Sequence, residues 1–169
     1  MRYLAIRGVA ASSANAHANG SKVASAQITA ANTAVTLHLN ETDLSNGVTL
    51  NATTSELSVA INGVYSITFS LQLFNTSNTQ DKVCAWFVLD GVNVANSASW
   101  TAIAAREDEN TPAAALATVN LYLALTTANK VTFKWLSLSG NSAVITQAAS
   151  TSPSYPLAPA LIVTVSQVS

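Results

Sequence analysis

Residues 63–74 read GVYSITFSLQLF. Tyr65, Ile67, Phe69, Leu71 and Leu73 alternate with Ser66, Thr68, Ser70 and Gln72. A β-strand sends successive side chains to opposite faces, so this pattern predicts a strand with one apolar and one polar face. A helix would scatter both sets around its axis. Residues 75–81 follow as a turn. Residues 82–89 are apolar on both faces, as expected of a strand covered on two sides. Asp90-Gly91 predicts a tight reversing turn, because such turns need the positive φ that Asp and Gly tolerate. Residues 92–103 are then expected to return as the partner strand.

The same reading extends in both directions. Residues 104–112 form a charged loop. Residues 116–125 alternate again, with Val119, Leu121, Leu123 and Leu125 on one face and Thr118, Asn120 and Tyr122 on the other. Residues 126–129 are a turn, and Val131, Phe133 and Trp135 line one face of the next strand. Residues 141–149 give a shorter strand. Residues 152–159 contain three prolines, which cannot pair along their length. Residues 161–168 form a last β-branched strand. Upstream, residues 23–40 and 48–61 supply short strands around an Asn46-Gly47 turn. Only residues 111–117, rich in alanine, tempt toward helix. The expected class is all-β: a single sandwich or jelly roll over residues 23–169. Residues 1–22 are expected to form an extended N-terminal arm.

A chain of 169 residues suits one domain with a substantial core. Charged residues are 9% of the total, too few for long solvated charge runs. A formal net charge of −1 gives no electrostatic case for nucleic acid or an anionic membrane. No apolar run approaches the roughly 18–20 residues of a membrane-spanning helix. Cys84 is the only cysteine, which excludes an internal disulfide and a cysteine-based zinc site. Its apolar surroundings predict a buried, inert thiol. At the N-terminus Arg7 interrupts the apolar stretch that a secretory signal requires, so the segment reads as mature protein.

Chemistry is sparse. His17 lies in the arm and His38 in a strand-like VTLHLN, and His38 has no local acidic or histidine ligand at useful spacing. His38 reads as a solvated or hydrogen-bonded strand histidine. No phosphate-binding, zincin or nucleophile-elbow motif occurs, so no enzyme, metal or cofactor is expected. Glu107, Asp108 and Glu109 are consecutive carboxylates, which rarely converge on one cation without further oxygens, and they read as a solvated loop beside Arg106. Asn40, Asn51 and Asn75 each begin a glycosylation acceptor triplet, expected by chance in so Asn- and Thr-rich a chain. Trp86, Trp100 and Trp135 are candidate carbohydrate platforms, with core or interface packing as the plainer reading.

Four pieces in order carry a family resemblance: GVYSITFSLQL at 63–73, VCAWFVLDGVNVANS at 83–97, TANKVTFKW at 127–135 and PLAPALIVTVSQV at 156–168. Together they resemble the trimeric complement and tumour-necrosis-factor-like jelly rolls. Within these they look like the phage version found in capsid decoration proteins and tail-fibre tips. Gly63, Tyr65, Ile67, Ser70 and Gln72 match its first strand. Trp86, Asp90, Gly91, Val94, Asn96 and Ser97 match its hairpin, and Val163, Val165, Gln167 and Val168 its closing strand. Ala128-Asn129 replaces the family's Gly-Asp-like turn. The resemblance spans residues 23–168 and implies a homotrimer in a virion.

The function expected from these readings is capsid decoration: a homotrimer that binds the assembled phage head and stabilises it. Trp86 and Val88 point opposite to Phe87 and Leu89, and Leu116 and Tyr122 opposite to Leu121 and Leu123. One face fills the sandwich, the pattern does not say which, and the other needs a neighbouring subunit, with Trp86, Val88, Leu116 and Tyr122 taken as that interface. Arg2, Tyr3, Arg7 and Lys22 of the arm are expected to contact the major capsid protein. Synthesis in the host bacterial cytoplasm and residence on the capsid surface follow. The alternative is a receptor-binding tail-fibre or head-fibre tip that touches a host surface glycan or protein through residues 75–81 and 104–112. The absence of a shaft segment favours the head. A secreted signalling ligand is the remoter reading.

Overall fold

The computed structural model describes residues 13–18, as backbone, and residues 27–169. In chain order the strands are β1 (Ser13–Ala18), β2 (Gln27–Ile28), β3 (Val35–Thr36), β4 (Glu41–Asn46), β5 (Val48–Asn51) and β6 (Glu56–Val59). They continue with β7 (Gly63–Asn75), β8 (Asp81–Leu89), β9 (Val92–Asn93), β10 (Ser99–Ile103) and β11 (Ala113–Leu125). The last are β12 (Val131–Ser137), β13 (Ser142–Val144), β14 (Ser150–Thr151), β15 (Ser154–Tyr155) and β16 (Leu161–Gln167). No helix occurs among the described residues. The alanines of 113–117 open β11 instead, since pairing with β7 in register from Ala113↔Asn75 to Leu125↔Gly63 outweighs their local preference.

Two antiparallel sheets face each other as a jelly-roll sandwich. The first runs β2-β13-β7-β16-β1-β4, with β11 on the other side of β7. The second runs β10-β8-β12-β6-β5, with β3 against β12 and β9 against β8. β7 behaves as its alternation predicts: Tyr65, Ile67, Phe69, Leu71 and Leu73 are buried. Val83, Ala85 and Phe87 of β8 meet them, with Val131, Phe133 and Trp135 of β12 and Leu161, Val163 and Val165 of β16. Phe69, Phe87 and Phe133 form a triangle with ring centroids 5.0–5.2 Å apart in tilted and edge-on contacts. Each such ring contributes about 1.5–3 kcal/mol by leaving water.

Three local expectations change. Ser13–Ala18 lies inside the first sheet, between β16 and β4, so the expected arm of residues 1–22 contains a strand. Its SANAHA sequence carries no large apolar residue to reveal this. The expected single strand over 92–103 breaks between β9 and β10. Asn96 takes φ 60° there. The Ser97 hydroxyl fills the gap, accepting from the Phe87 N–H and donating to the Val94 carbonyl. The proline-rich 152–159 contributes β15, which pairs with β14 in a two-residue ladder.

Candidate functional site

The core consumes the inward faces, so surface chemistry lies on the outward ones. On the first sheet the outward side of β7 is hydroxyl-rich. Asn120 of β11 donates to Thr68 Oγ1 at 2.7 Å and Ser66 Oγ at 3.1 Å, and Ser70 pairs with Thr118 at 3.0 Å. Flanking these on β11, Leu116 and Tyr122 are 61% and 63% exposed. β11 is an edge strand thirteen residues long with no charged side chain.

On the second sheet, β8 directs Lys82, Cys84, Trp86 and Val88 outward, opposite to Val83, Ala85 and Phe87. Trp86 is half-buried, its indole N–H donating to Asn93 Oδ1 at 2.8 Å. Val88 is 1% exposed. Its register neighbours Thr132 and Asn93 stand on either side of it, and the single chain already covers it. Cys84 is buried, which pushes its thiol pKa up. Two concavities open on this face. One, of about 550 Å³, is lined by Glu56, Asp90, Lys130, Lys134 and neutral neighbours including Val88. The other, of about 530 Å³, is lined by Lys82, Trp100, Thr101, Ala102 and Leu138.

A buried carboxylate sits below the second concavity. Asp81 is 2% exposed. It accepts from the Ser137 and Ser142 hydroxyls at 2.5 and 2.6 Å and from the Ser139 N–H at 3.0 Å. Burial pushes its pKa up, but these hydrogen bonds outweigh burial and hold it below the ordinary carboxylate range. The network joins β8, β12 and β13 and has the form of a structural staple. Nearby, the loops expected to touch a host pack against each other: Asn75 Nδ2 donates to the Ala104 carbonyl and the Arg106 N–H to the Ser77 carbonyl, each at 2.8 Å.

The remaining sequence candidates fall as follows. Trp86 and Val88 lie on one sheet, Leu116 and Tyr122 on the other, so the four do not form one patch. Arg2, Tyr3, Arg7 and Lys22 lie outside the described residues, as does the side chain of His17. His38 is exposed, its Nδ1 2.9 Å from Ser55 Oγ, and Ser55 is buried and also bonded to the Leu39 backbone. This is a hydrogen-bonded strand-end histidine rather than a poised nucleophile pair. Asp108 accepts from the Asn110 N–H at 2.7 Å, which lowers its pKa, and no group of three or more metal-ligating side chains gathers among the described residues. Trp135 is wholly buried, with no hydrogen-bond partner for its indole N–H among the described residues. Trp100, 57% exposed, is the indole that remains available. The sequence reading did not single out Lys82 or Asp81. Lys82 reads as a strand start and Asp81 as a turn residue, and only the paired strands bring Lys82 beside Trp100.

No family model matches the chain, and no curated protein does. Among solved structures, the chain is similar to the tumour necrosis factor Eiger of S. frugiperda, with 11% identity, 93% of this chain and 92% of that chain covered, and a TM-score of 0.52. Two antiparallel sheets, an all-strand topology and this likeness together give the chain a tumour-necrosis-factor-like jelly-roll fold.

Proposed function

We propose that this chain is a bacteriophage structural protein that binds the assembled head as a homotrimer and stabilises it. The observation that carries the reading is β11. A long, uncharged edge strand with Leu116 and Tyr122 facing water invites pairing with another chain, and proteins cover such edges. Closure around a three-fold axis hides the edge without starting a fibre. The motif resemblance of residues 63–73, 83–97 and 156–168 supports the virion assignment. A trimer that binds the assembled shell, and not its separated subunits, stabilises that shell by mass action.

The test has two parts. Light scattering of the purified chain should give a mass three times 17.5 kDa; a monomer at micromolar concentration defeats the proposal. The trimer should then co-sediment with empty phage heads and raise their disruption temperature. Deleting residues 1–12, which spares β1, should abolish head binding while trimers persist. Retained binding removes the arm from the mechanism.

A second reading, a receptor-binding tip, is favoured by one observation: residues 75–81 and 104–112 are tied together into a single loop cluster. Electron microscopy of the particle with a labelled chain separates head from tail.

A further inference from the structure

The concavity at Trp100 lies on the second sheet, and neither reading above assigns it a role. Its geometry is set by strand pairing. Trp100 stands opposite Cys84 and Ala102 opposite Lys82 in the β10–β8 ladder. The Leu138 N–H donates to the Lys82 carbonyl at 2.9 Å, which brings Leu138 to the same place. An exposed indole, two apolar side chains and one ammonium therefore share a hollow of about 530 Å³ formed by β8, β10 and the bend after β12.

Among the described residues, no carboxylate compensates the charge in this hollow. Lys82 forms no ion pair with a carboxylate among the described residues. Its nearest acid along the chain, Asp81, is buried on the opposite face; its oxygens accept from Ser137, Ser142 and the Ser139 N–H, and from Lys82 only through the backbone N–H at 2.7 Å. The other concavity of this face differs, since Glu56 and Asp90 there balance Lys130 and Lys134. β10 is also the edge of its sheet, so part of its backbone faces away from β8 and can exchange hydrogen bonds with hydroxyls.

We propose that the Trp100–Lys82–Leu138 hollow binds a carboxylate-bearing pyranose of a surface polysaccharide. The indole offers a flat, apolar face to the C–H side of a sugar ring. The ammonium offers three donors and a full charge to the carboxylate. A neutral sugar satisfies the first feature and leaves the second unused; a simple anion does the reverse.

The experiment is titration of the full chain with an oligogalacturonate and with the neutral galactose oligomer of the same length, read by tryptophan fluorescence and calorimetry. The acidic oligomer should bind at least about tenfold more tightly, with an affinity that falls as salt is raised. Trp100→Ala and Lys82→Gln should each weaken it at least about tenfold. Both variants should keep the far-ultraviolet circular dichroism of the parent. Trp100→Phe, which keeps an aromatic face, guards against a folding failure of the alanine variant and should retain partial binding. No binding by either oligomer, equal binding of both, or binding indifferent to Trp100 and Lys82 overturns the proposal. So does a Trp100 shielded from acrylamide in the free protein together with a Trp100→Ala variant of altered mass, because the occupant is then a second copy of the chain.

Discussion

The Asp81 carboxylate accepts a 2.5 Å hydrogen bond from the Ser137 hydroxyl, and both residues are buried. This contact belongs to a staple that also holds Ser142 and the backbone of Ser139. Asp81→Asn keeps the shape but turns an NH₂ donor toward hydroxyl and N–H donors. It should cost about 2–4 kcal/mol, measured by urea unfolding, as expected when a buried charge-assisted network is broken. The pH dependence has a definite sign. Because the folded carboxyl binds its proton more weakly than the unfolded one, its stabilisation is complete above the unfolded pKa of about 3.9. It is lost as pH falls through the lower folded value. Asp81→Asn should therefore lose less stability between neutral pH and strong acid than the parent; equal losses would show that Asp81 carries no such linkage.

What the sequence reveals and hides follows from how each residue is held. β7 is legible because five large apolar side chains recur at every second position, and no other element satisfies that spacing. Asp90-Gly91 is legible because few other pairs tolerate its backbone, and both residues do take positive φ, 50° and 81°. β1 is hidden because its place between β16 and β4 is secured by backbone pairing, which leaves little mark on SANAHA. The hollow at Trp100 is hidden for a related reason. Lys82, Trp100 and Leu138 are far apart in sequence, and their meeting depends on the β10–β8 register and on the chain path after β12.

The glycines of two turns should respond unequally to one added methyl. Gly91 has φ +81° and open space where a Cβ would lie, so Gly91→Ala pays only for left-handed backbone, about 1–2 kcal/mol. Gly140 has φ +77°, and its Cβ would lie 2.8 Å from the Ala31 backbone nitrogen. Gly140→Ala must therefore also push the segment at Ala30 and Ala31 away. Its loss of thermal stability should clearly exceed that of Gly91→Ala, in side-by-side calorimetric melts. Equal shifts would mean that the contact with Ala31 yields without cost.

The aromatic triangle predicts a severe core mutant. Phe133 touches Phe69 of the facing sheet and Phe87 of the adjacent strand. Phe133→Ala leaves both rings facing a void that strands paired on both sides cannot collapse to fill. The expected loss is about 3–5 kcal/mol in denaturant unfolding. A loss under about 1 kcal/mol would mean that the two sheets can close up on each other.

Leu116 and Tyr122 test the assembly without touching the fold. Both point away from the core on β11, and their inward neighbours Ala117 and Leu121 keep their packing when the outward side chain changes. Leu116→Lys and Tyr122→Lys should therefore shift monomer stability by only about 0.5 kcal/mol, the range of ordinary surface substitutions. In a trimer closed over this strand each change places three ammonium groups in an interface that has lost its water, and unpaired buried charge is strongly unfavourable. Light scattering should accordingly show the mass falling from three chains to one, while circular dichroism stays that of the parent. Trimers that persist in the double variant would place the contact between subunits elsewhere, and the exposed edge of β11 would then need a different partner.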